Sequence, residues 1–341
     1  MNIKEIARTA NVSISTVSLV LNNKPGVKSE TRERVVHLLH QNGYELKAPA
    51  ARQGVIGNLL FVRYRGSGRL MEVKDDFFIQ ILDGVENQAR RMSFNLSIAN
   101  AGRDNLAEVL AGAENTAAGV ILFATEFEPE GAALLESCPV PLVVLDEDFP
   151  NEPINTIGVD NMGAIFTGVS YLHALGHTDI GYLHSTEHTG AIPERERGYR
   201  AAMAQLGLPV AEEHIFMLDL FMSKVYQQMN EILERKPSLP TALIADNDIL
   251  AVGAMRALQD HGYRIPSDLS ILGFDDSYVC SVANPALSTL RSPKAAIGQQ
   301  AVKRIKDMID DPGGSAMKSR LCARLMKRGT TAPPPDRANK A

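Results

Sequence analysis

The sequence of 341 residues contains no tryptophan and only three cysteines, Cys138, Cys280 and Cys322. An odd number of cysteines, in no metal-binding or redox spacing, argues against a disulfide framework and against a metal site held by thiolates. Isolated thiols of this kind are typical of small core or surface residues in a reducing compartment.

Long hydrophobic runs are also absent. No stretch approaches the roughly 18 consecutive apolar residues of a membrane-spanning helix. The first residues form a polar amphipathic segment without the apolar region of a signal peptide. We therefore expect neither membrane insertion nor export, and we expect the protein in the cytoplasm.

Motifs of catalysis are missing as well: the chain has no glycine-rich phosphate loop, no GxSxG turn and no acid pair beside a base motif. His173, His177, His184 and His188 lie close in sequence. Gly176, however, should end a helix before His177, so that His173 and His177 would not share a helix face. We predict no enzyme activity, no cofactor and no metal.

The charge that is present is unevenly distributed. The net charge is −5, yet residues 1–58 hold eight lysines and arginines against four glutamates, a local charge of +4 that leaves −9 on the remainder. Neutralising DNA phosphates requires local positive charge, whatever the sign of the whole chain. The distribution fits a DNA-binding head on an acidic ligand-binding body.

The segment from Ile3 to Asn23 has the pattern of a helix-turn-helix. Ile3, Ile6, Ala7 and Ala10 recur at the spacing of one helix face. A turn after Ala10 would lead into a second helix.

Ser13 can cap that second helix, whose Val17, Val20 and Leu21 would point inward. The opposite face is the candidate reader of the DNA major groove. The candidate DNA-binding residues are Ile14, Ser15, Thr16, Ser18, Leu19 and Asn22.

A third helix should follow, capped by Ser29 and ended by Gly43, with Val35, Leu38 and Leu39 on its inner face. The alternative is an ordinary pair of small helices, since such patterns arise by chance in helical chains. Three consecutive short helices favour a complete DNA-binding headpiece.

The rest of the chain alternates short apolar runs with longer amphipathic stretches, which indicates an α/β fold with parallel, doubly wound sheets. In a first unit, we predict strands at 56–62, 94–99, 119–123 and 141–145, and helices at 77–92, 104–115 and 129–136. In a second, we predict strands at 180–183, 242–245 and 269–274, and helices at 164–175, 194–206, 224–233 and 249–261. Two such units form a cleft at the carboxyl ends of their strands, where open α/β sheets bind ligands.

The segment IKEIARTANVSISTVSLVLNNKPGVKSETRERVV, followed by Gly43 and Tyr44, resembles the amino-terminal domain of the lactose-repressor/galactose-repressor (LacI/GalR) family. The resemblance continues through RERGY from Arg195, DNDILAVGA from Asp246, LGFDD from Leu272 and RGTT from Arg328. It implies that the second helix lies in the major groove, that a homodimer binds a two-fold symmetric operator, and that the body resembles periplasmic sugar-binding proteins.

These observations divide the chain into a headpiece at 1–44, a linker at 45–55, a body at 56–329 and a flexible tail at 330–341. The resemblance implies that the body crosses between its halves, with 56–159 plus 288–320 in subdomain one and 160–287 plus 321–329 in subdomain two. The linker departs from the family: it is shorter, and it has Gly54 where the family has a leucine. Glycine opposes the hinge helix that the family forms there.

A sugar or nucleoside effector needs charged and amide groups that grip neighbouring hydroxyls, together with an apolar plane against a ring. By motif position, the polar candidates are Asp160, Arg195, Asn247 and Asp275, and the aromatic candidates are Phe78 and Phe221. Each has a simpler alternative: both aspartates and Asn247 could cap helices, Phe78 could belong to a core, and Arg195 could pair with a neighbouring glutamate.

The function indicated is a repressor-type transcription regulator, controlled by a small-molecule effector such as a sugar bound in the cleft. A stand-alone sugar-binding receptor is the alternative, but it would need an export signal and no headpiece. Where the family usually has an arginine, this chain has Leu19, so we expect contacts to thymine methyl groups in place of a bidentate guanine contact.

Overall fold

The structure is a computed structural model that describes residues 3–21, 27, 29–42, 44, 57–66, 75–128, 131–187 and 190–335. Its contacts divide the chain into two compact units, Met1–Ile56 and Gly57–Ala341, which we call the headpiece and the body. The whole predicted linker at 45–55, including Gly54, lies outside the described residues. None of the helices in the described ranges is long and apolar enough to cross a lipid bilayer.

The headpiece contains three helices, α1 (Ile3–Thr9), α2 (Ile14–Leu21) and α3 (Ser29–Gln41). They enclose a small core, and Leu21 and Leu38, both predicted to point inward, are only partly buried at its margin. The core residues are Ile6, Ala7, Ala10, Val17, Val20, Val35 and Leu39. Burying a valine, leucine or isoleucine is worth about 1.5–3 kcal/mol, so these few side chains stabilise the unit.

The first sheet of the body has six parallel strands in the order β11-β5-β4-β3-β1-β2. Every residue of β3, β4 and β5, three of its four inner strands, is buried, as a parallel sheet covered on both faces requires. The strands are β1 (Gly57–Tyr64), β2 (Phe94–Ala101), β3 (Gly119–Phe123), β4 (Leu142–Leu145), β5 (Asn155–Val159) and β11 (Lys318–Leu321). The helices between the first five strands are α4 (Asp75–Arg91), α5 (Leu106–Gly112), which a 3₁₀ turn continues at Ala113–Asn115, and α6 (Ala132–Glu136).

The second sheet has the order β12-β10-β9-β8-β6-β7, with only β12 antiparallel to its neighbour. Its strands are β6 (Ile180–Ser185), β7 (Ile215–Leu218), β8 (Ala242–Ala245), β9 (Ser270–Phe274), β10 (Ser288–Arg291) and β12 (Arg324–Met326). The helices of this half are α7 (Asn161–Ala174), α8 (Ile192–Gln205), α9 (Met222–Glu234), α10 (Asp248–Asp260) and α11 (Val279–Val282), and a 3₁₀ turn lies at Glu212–His214.

The chain crosses between the two halves of the body three times: after β5, after β10 and after β11. The prediction returned the chain to the first half at residue 288, but β10 pairs with β9 in the second sheet. The return is made by α12 (Lys294–Asp310), which packs on α4. Gly84 and Gly298 permit this close approach, because a Cβ on either would collide with backbone of the opposite helix.

The carboxyl-terminal segment is attached to the second sheet, contrary to the predicted flexible tail from residue 330. Thr330 is fully buried; its Oγ1 donates to the Ile271 carbonyl at 2.7 Å and accepts from Ser288 N at 2.9 Å. Ala332 accepts from Ser270 Oγ at 3.1 Å and returns a backbone N–H bond of the same length. These bonds satisfy polar groups at the sheet that would otherwise be buried without partners. Residues 336–341 lie outside the described residues.

Candidate functional site

The exposed face of α2 is formed by most of the residues that the sequence nominated. Ile14 is 49% exposed, Ser15 and Ser18 are exposed, and Thr16 and Leu19 are partly buried. Asn22 lies outside the described residues. The helix has no acidic residue in its first turn and no basic one in its last, so this face offers hydroxyl and apolar groups to a partner.

The start of α2 is fixed by its cap. Ser13 Oγ accepts from Thr16 N at 3.1 Å and lies 2.7 Å from Ser15 Oγ and 2.8 Å from Thr16 Oγ1. In the preceding turn, Asn11 has φ +54°, a left-handed conformation that asparagine tolerates better than most residues. Hydroxyl groups therefore cluster at the amino end of α2, where free N–H groups favour an anion such as a phosphate.

In the body, Arg195 is the most fully buried of the nominated residues. Its side chain is 2% exposed, and its guanidinium stacks on Phe274 with 3.7 Å from Cζ to the ring centroid. Nε donates to Asn161 Oδ1 at 3.0 Å, Nη1 donates to the Asp246 carbonyl, and Nη2 lies 3.5 Å from Asp275 Oδ1. The alternative of a surface ion pair is therefore wrong.

Asp275, at the end of β9, is 6% exposed and has φ +100°. Its Oδ1 accepts from Ser292 Oγ at 2.8 Å, in addition to the contact with Arg195. It caps no helix among the described elements.

Asp160 and Asn247, in contrast, do cap helices. Asp160 Oδ1 accepts from Gly163 N at 3.0 Å at the start of α7. Asn247 Oδ1 accepts from Leu250 N at 2.9 Å at the start of α10. For these two residues the simpler alternative describes what the side chains do, although Asn247 also faces a cavity.

The two aromatic candidates lie apart from each other and from the cavities. Phe78 is 7% exposed and packs edge-on against Phe61 and Phe123 in the core. Its neighbour Phe77 lines a cavity instead. Phe221 precedes α9, with Lys224 Nζ 5.6 Å from its ring centroid, and lines neither cavity of the cleft.

The cleft contains a small and a larger cavity. The small one, of about 30 Å³, holds about one water molecule. It is lined by Asp76, Phe77, Asn247, Asp248, Ile249, Phe274, Asp275, Ser277 and Lys294. Arg195 bridges the cavities, since it contacts Asp275 of the small one and Asn161 of the larger one.

The larger cavity, of about 260 Å³, has a lining that the sequence did not nominate. The sequence does contain a signal for part of this lining, namely position directly after a strand. Asp146, Glu147 and Asp148 directly follow strand β4, and Asn161 directly follows the nominated Asp160. Its lining residues are Phe127, Asp146, Glu147, Asp148, Pro150, Gly158, Val159, Asn161, Gly190, Ala191, Pro193, Glu194, Arg197 and Arg320.

Contacts between the two halves of the body surround the larger cavity. Arg320 of β11 pairs with Asp148 in the first half and, at 3.1 Å, with Glu194 in the second. Within the second half, Asn161 Nδ2 donates to Oε2 of the same Glu194 carboxylate at 2.9 Å. Gly190 faces the Thr125 carbonyl so closely that a Cβ would lie 2.8 Å from its oxygen. The cleft is therefore closed in this structure.

Burial changes the protonation of several groups near the cleft. Burial, reinforced by the charges of Asp146, Glu194 and Asp148, raises the pKa of Glu147 to about 8. Burial likewise raises the pKa of Asp248 to about 6. For His184, burial acts to lower the pKa, but the hydrogen bond and charge of Asp246 raise it overall.

The histidines near residue 177 have structural partners. His177 bonds Thr241 Oγ1 and the Ala332 carbonyl, both at 2.9 Å, and His184 Nδ1 lies 2.7 Å from Asp246 Oδ2. Within the described ranges, no three His, Cys, Asp or Glu side chains are grouped to hold a metal ion. His188 lies outside those ranges.

Two regions of the sequence match known protein families. Residues 2–45 match the family described as bacterial regulatory proteins, lacI family, and residues 169–331 match the periplasmic binding protein-like domain. The repressor PurR of Vibrio campbellii (strain ATCC BAA-1116) is 30% identical over 91% of this chain and 92% of its own length. The probable repressor ExuR of Bacillus subtilis (strain 168) is 29% identical over 93% of this chain and 94% of its own length.

Solved structures resemble the whole chain. A complex of the transcriptional regulator CelR with cellobiose aligns with a TM-score of 0.70 and 25% identity over 97% of this chain and 99% of that chain. The Lac repressor dimer bound to operator and the anti-inducer ONPF aligns with a TM-score of 0.69, 24% identity and the same coverage. The fold of the headpiece, the two-sheet body and their order along the chain are thus shared with these two solved structures.

Proposed function

The chain belongs to the LacI family of bacterial regulatory proteins, and from that premise we propose that it is a repressor whose affinity for operator DNA is set by a small hydroxylated effector in the body cleft. The observation that carries the proposal is the combination of an exposed helix α2 on an independent headpiece with a closed, polar cavity at the strand ends of the body. Relatives along nearly the full length are named as transcriptional repressors.

The proposed reading of DNA follows from the surface of α2. Ile14 and Leu19 can contact thymine methyl groups, and Ser15, Thr16 and Ser18 can hydrogen-bond to base edges or phosphates. The side chain at position 19 cannot form the bidentate contact to guanine that an arginine makes. We therefore expect an operator half-site with A·T pairs opposite Leu19.

The effector is proposed to occupy the larger cavity and to contact both halves of the body there. Asn161 and Glu194 belong to the second half, whereas Glu147 and Arg320 belong to the first. A ligand held by both halves favours closure, and a bias of 1–3 kcal/mol between two states changes operator affinity about 5- to 150-fold. Three of the nominated residues then contribute indirectly to effector binding. Arg195 and Asp275 orient Asn161, and Asn247 holds the start of α10.

We further propose a homodimer, which matches a two-fold symmetric operator. Tyr278 and Val282 are 70% and 69% exposed, unusually high for large apolar side chains at neighbouring positions. A groove beside them is bounded by Met222, Tyr226 and Met255 of α9 and α10. A related chain, the Lac repressor, is described as a dimer on its operator.

Selection of binding sites from random duplex DNA by the full chain tests the proposal. We expect one enriched sequence with two inverted half-sites, bound with an affinity that falls steeply as salt rises. In Leu19→Arg, one position of each half-site should change toward guanine, whereas Glu136→Gln, a change at an exposed body residue, should leave the sequence unaltered. No enrichment of any sequence would contradict the regulator.

A further inference from the structure

The lining of the larger cavity is predominantly acidic. Among the described residues of this lining, Asp146, Glu147, Asp148 and Glu194 contribute four carboxyl groups, against two guanidinium groups from Arg197 and Arg320. The remaining lining is small or apolar, apart from the amide of Asn161. A cleft lined mainly by groups of one charge sign favours a ligand of the opposite sign.

The basic residues are unevenly shared among these acids. Arg320 pairs with both Asp148 and Glu194 and thereby compensates their charges. Asp146 Oδ2 accepts from Thr125 Oγ1 at 2.6 Å. Among the contacts of the described residues, Glu147 Oε1 accepts from the backbone N–H of Asp148 at 3.0 Å, and no basic side chain forms an ion pair with it. Carboxyl groups are therefore concentrated around Glu147, with Asp146, Asp148 and Glu194 as its neighbours.

The protonation of Glu147 reflects this concentration. Burial and the nearby Asp146, Glu194 and Asp148 carboxylates raise its pKa to about 8, so the empty cavity holds a proton on Glu147 at neutral pH. A bound cation would reverse this effect, because an opposite charge within a few ångströms favours the ionised carboxylate.

We propose that the effector is a hydroxylated molecule that carries a protonated amine, such as an amino sugar or an aminopolyol, with its ammonium group against Glu147. This inference rests on the proposed function, since it names the chemical class of the ligand in the same cleft. The ring or chain of the ligand would lie against Phe127, and Asn161 and Arg197 would receive its hydroxyl groups. The cavity of about 260 Å³ is sized for one sugar unit.

Binding then includes a defined proton transfer. The ammonium group arrives already protonated and stays so, while Glu147 releases its proton to the buffer and becomes a carboxylate. No covalent bond forms or breaks in the ligand. Below pH of about 8 the full chain should release up to one proton per bound ligand. A neutral sugar would release none, because protonated Glu147 would serve it as a hydrogen-bond donor.

Matched sets of ligands test the class. Each set has one carbon frame in cationic, neutral and anionic form: N-methylglucamine, sorbitol and gluconate; glucosamine, glucose and glucuronate; galactosamine, galactose and galacturonate. Thermal shift of the full chain identifies binders, and calorimetry at pH 7 in two buffers of different ionisation enthalpy counts the protons. We expect a cationic member to bind about 10- to 100-fold more tightly than its neutral counterpart, as charge-assisted hydrogen bonds are stronger than neutral ones.

A variant separates charge from shape. Glu147→Gln keeps the size, and its amide is a hydrogen-bond donor like the protonated acid, but it cannot ionise. The variant should therefore bind the cationic ligand about 10- to 100-fold more weakly and should abolish proton release. The matched control Glu136→Gln, an exposed acid in the same half of the body, should change neither. If Glu147→Gln binds the cationic ligand as tightly as the parent chain, the assignment of the ammonium group is wrong.

Tighter binding by a neutral or anionic member than by its cationic counterpart would overturn the inference, as would the absence of binding by every cationic member. Neither result would affect the proposed regulator, because selection of operator DNA is measured without any effector.

Discussion

The buried contact between Arg195 and Asp275 offers a quantitative test of how the cleft is held together. Asp275→Ala would leave the guanidinium of Arg195, 2% exposed, without the carboxylate that lies 3.5 Å away. At an effective dielectric constant of about 20, charges at that distance attract by roughly 5 kcal/mol before desolvation is subtracted. Removing one partner of a buried pair typically costs about 3–5 kcal/mol, because the other charge remains buried and uncompensated.

A second substitution removes the Arg195 charge that Asp275→Ala leaves without its partner. Arg195→Met with Asp275→Ala replaces the pair by apolar groups, so the double variant should be more stable than the sum of the two single losses by about 1–3 kcal/mol. Differential scanning calorimetry of the full chain measures both effects as the melting temperature of the body. A shift of about 2–4 °C per kcal/mol gives a loss of roughly 6–20 °C for Asp275→Ala.

The control for these measurements is Asp104→Ala, which removes an exposed aspartate from the same body and should change the melting temperature by no more than about 1–2 °C. Additive losses in the double variant would refute the reasoning, since they would mean that Arg195 and Asp275 do not interact energetically. A loss for Asp275→Ala no larger than that of the control would refute it as well.

Three further predictions concern the cap, the carboxyl-terminal segment and pH. Ser13→Ala removes the cap of α2 and should destabilise the headpiece by about 1 kcal/mol, measured by circular dichroism during heating, with weaker operator binding; Ser13→Asp should restore the stability. Thr330→Val leaves the buried Ser288 N–H without its acceptor and should cost about 1–3 kcal/mol in chemical unfolding. The raised pKa of His184 means that its stabilising contact with Asp246 is fully present below the ordinary value of 6.5 and is lost as pH rises through the raised value. His184→Gln should therefore flatten the fall of melting temperature over that range, and an unchanged pH profile would contradict the assignment.

The sequence predicts helices and strands well where the apolar residues of a whole segment follow one pattern of burial. Strand β8 was predicted within its observed limits, Ala242–Ala245, because four apolar residues lie between polar ones. Strand β7 (Ile215–Leu218) was missed, since Met217 is 45% exposed and the run follows a polar turn. Strands β11 and β12 were missed too. Lys318–Leu321 alternates basic with other residues, and Arg324–Met326 is only three residues long; both lie at sheet edges.

The cleft illustrates a second limit of sequence reasoning. Position after a strand identifies a residue at the cleft, but it does not distinguish a side chain that turns back to cap the next helix from one that faces the cavity. Asp160 caps α7 and its neighbour Asn161 faces the cavity, although both follow β5. The aromatic candidates show the same error of one residue. Phe78 was nominated and lies in the core, whereas its neighbour Phe77 lines the small cavity.

In the proposed function, ligand binding in the body changes the affinity of the protein for operator DNA. The direct measurement is the dissociation constant of the full chain for its selected operator, determined by fluorescence anisotropy with and without a ligand that calorimetry has shown to bind. We expect a change of about 5- to 150-fold, in one direction, at saturating ligand. An operator dissociation constant that is unchanged when the ligand saturates the body would contradict it.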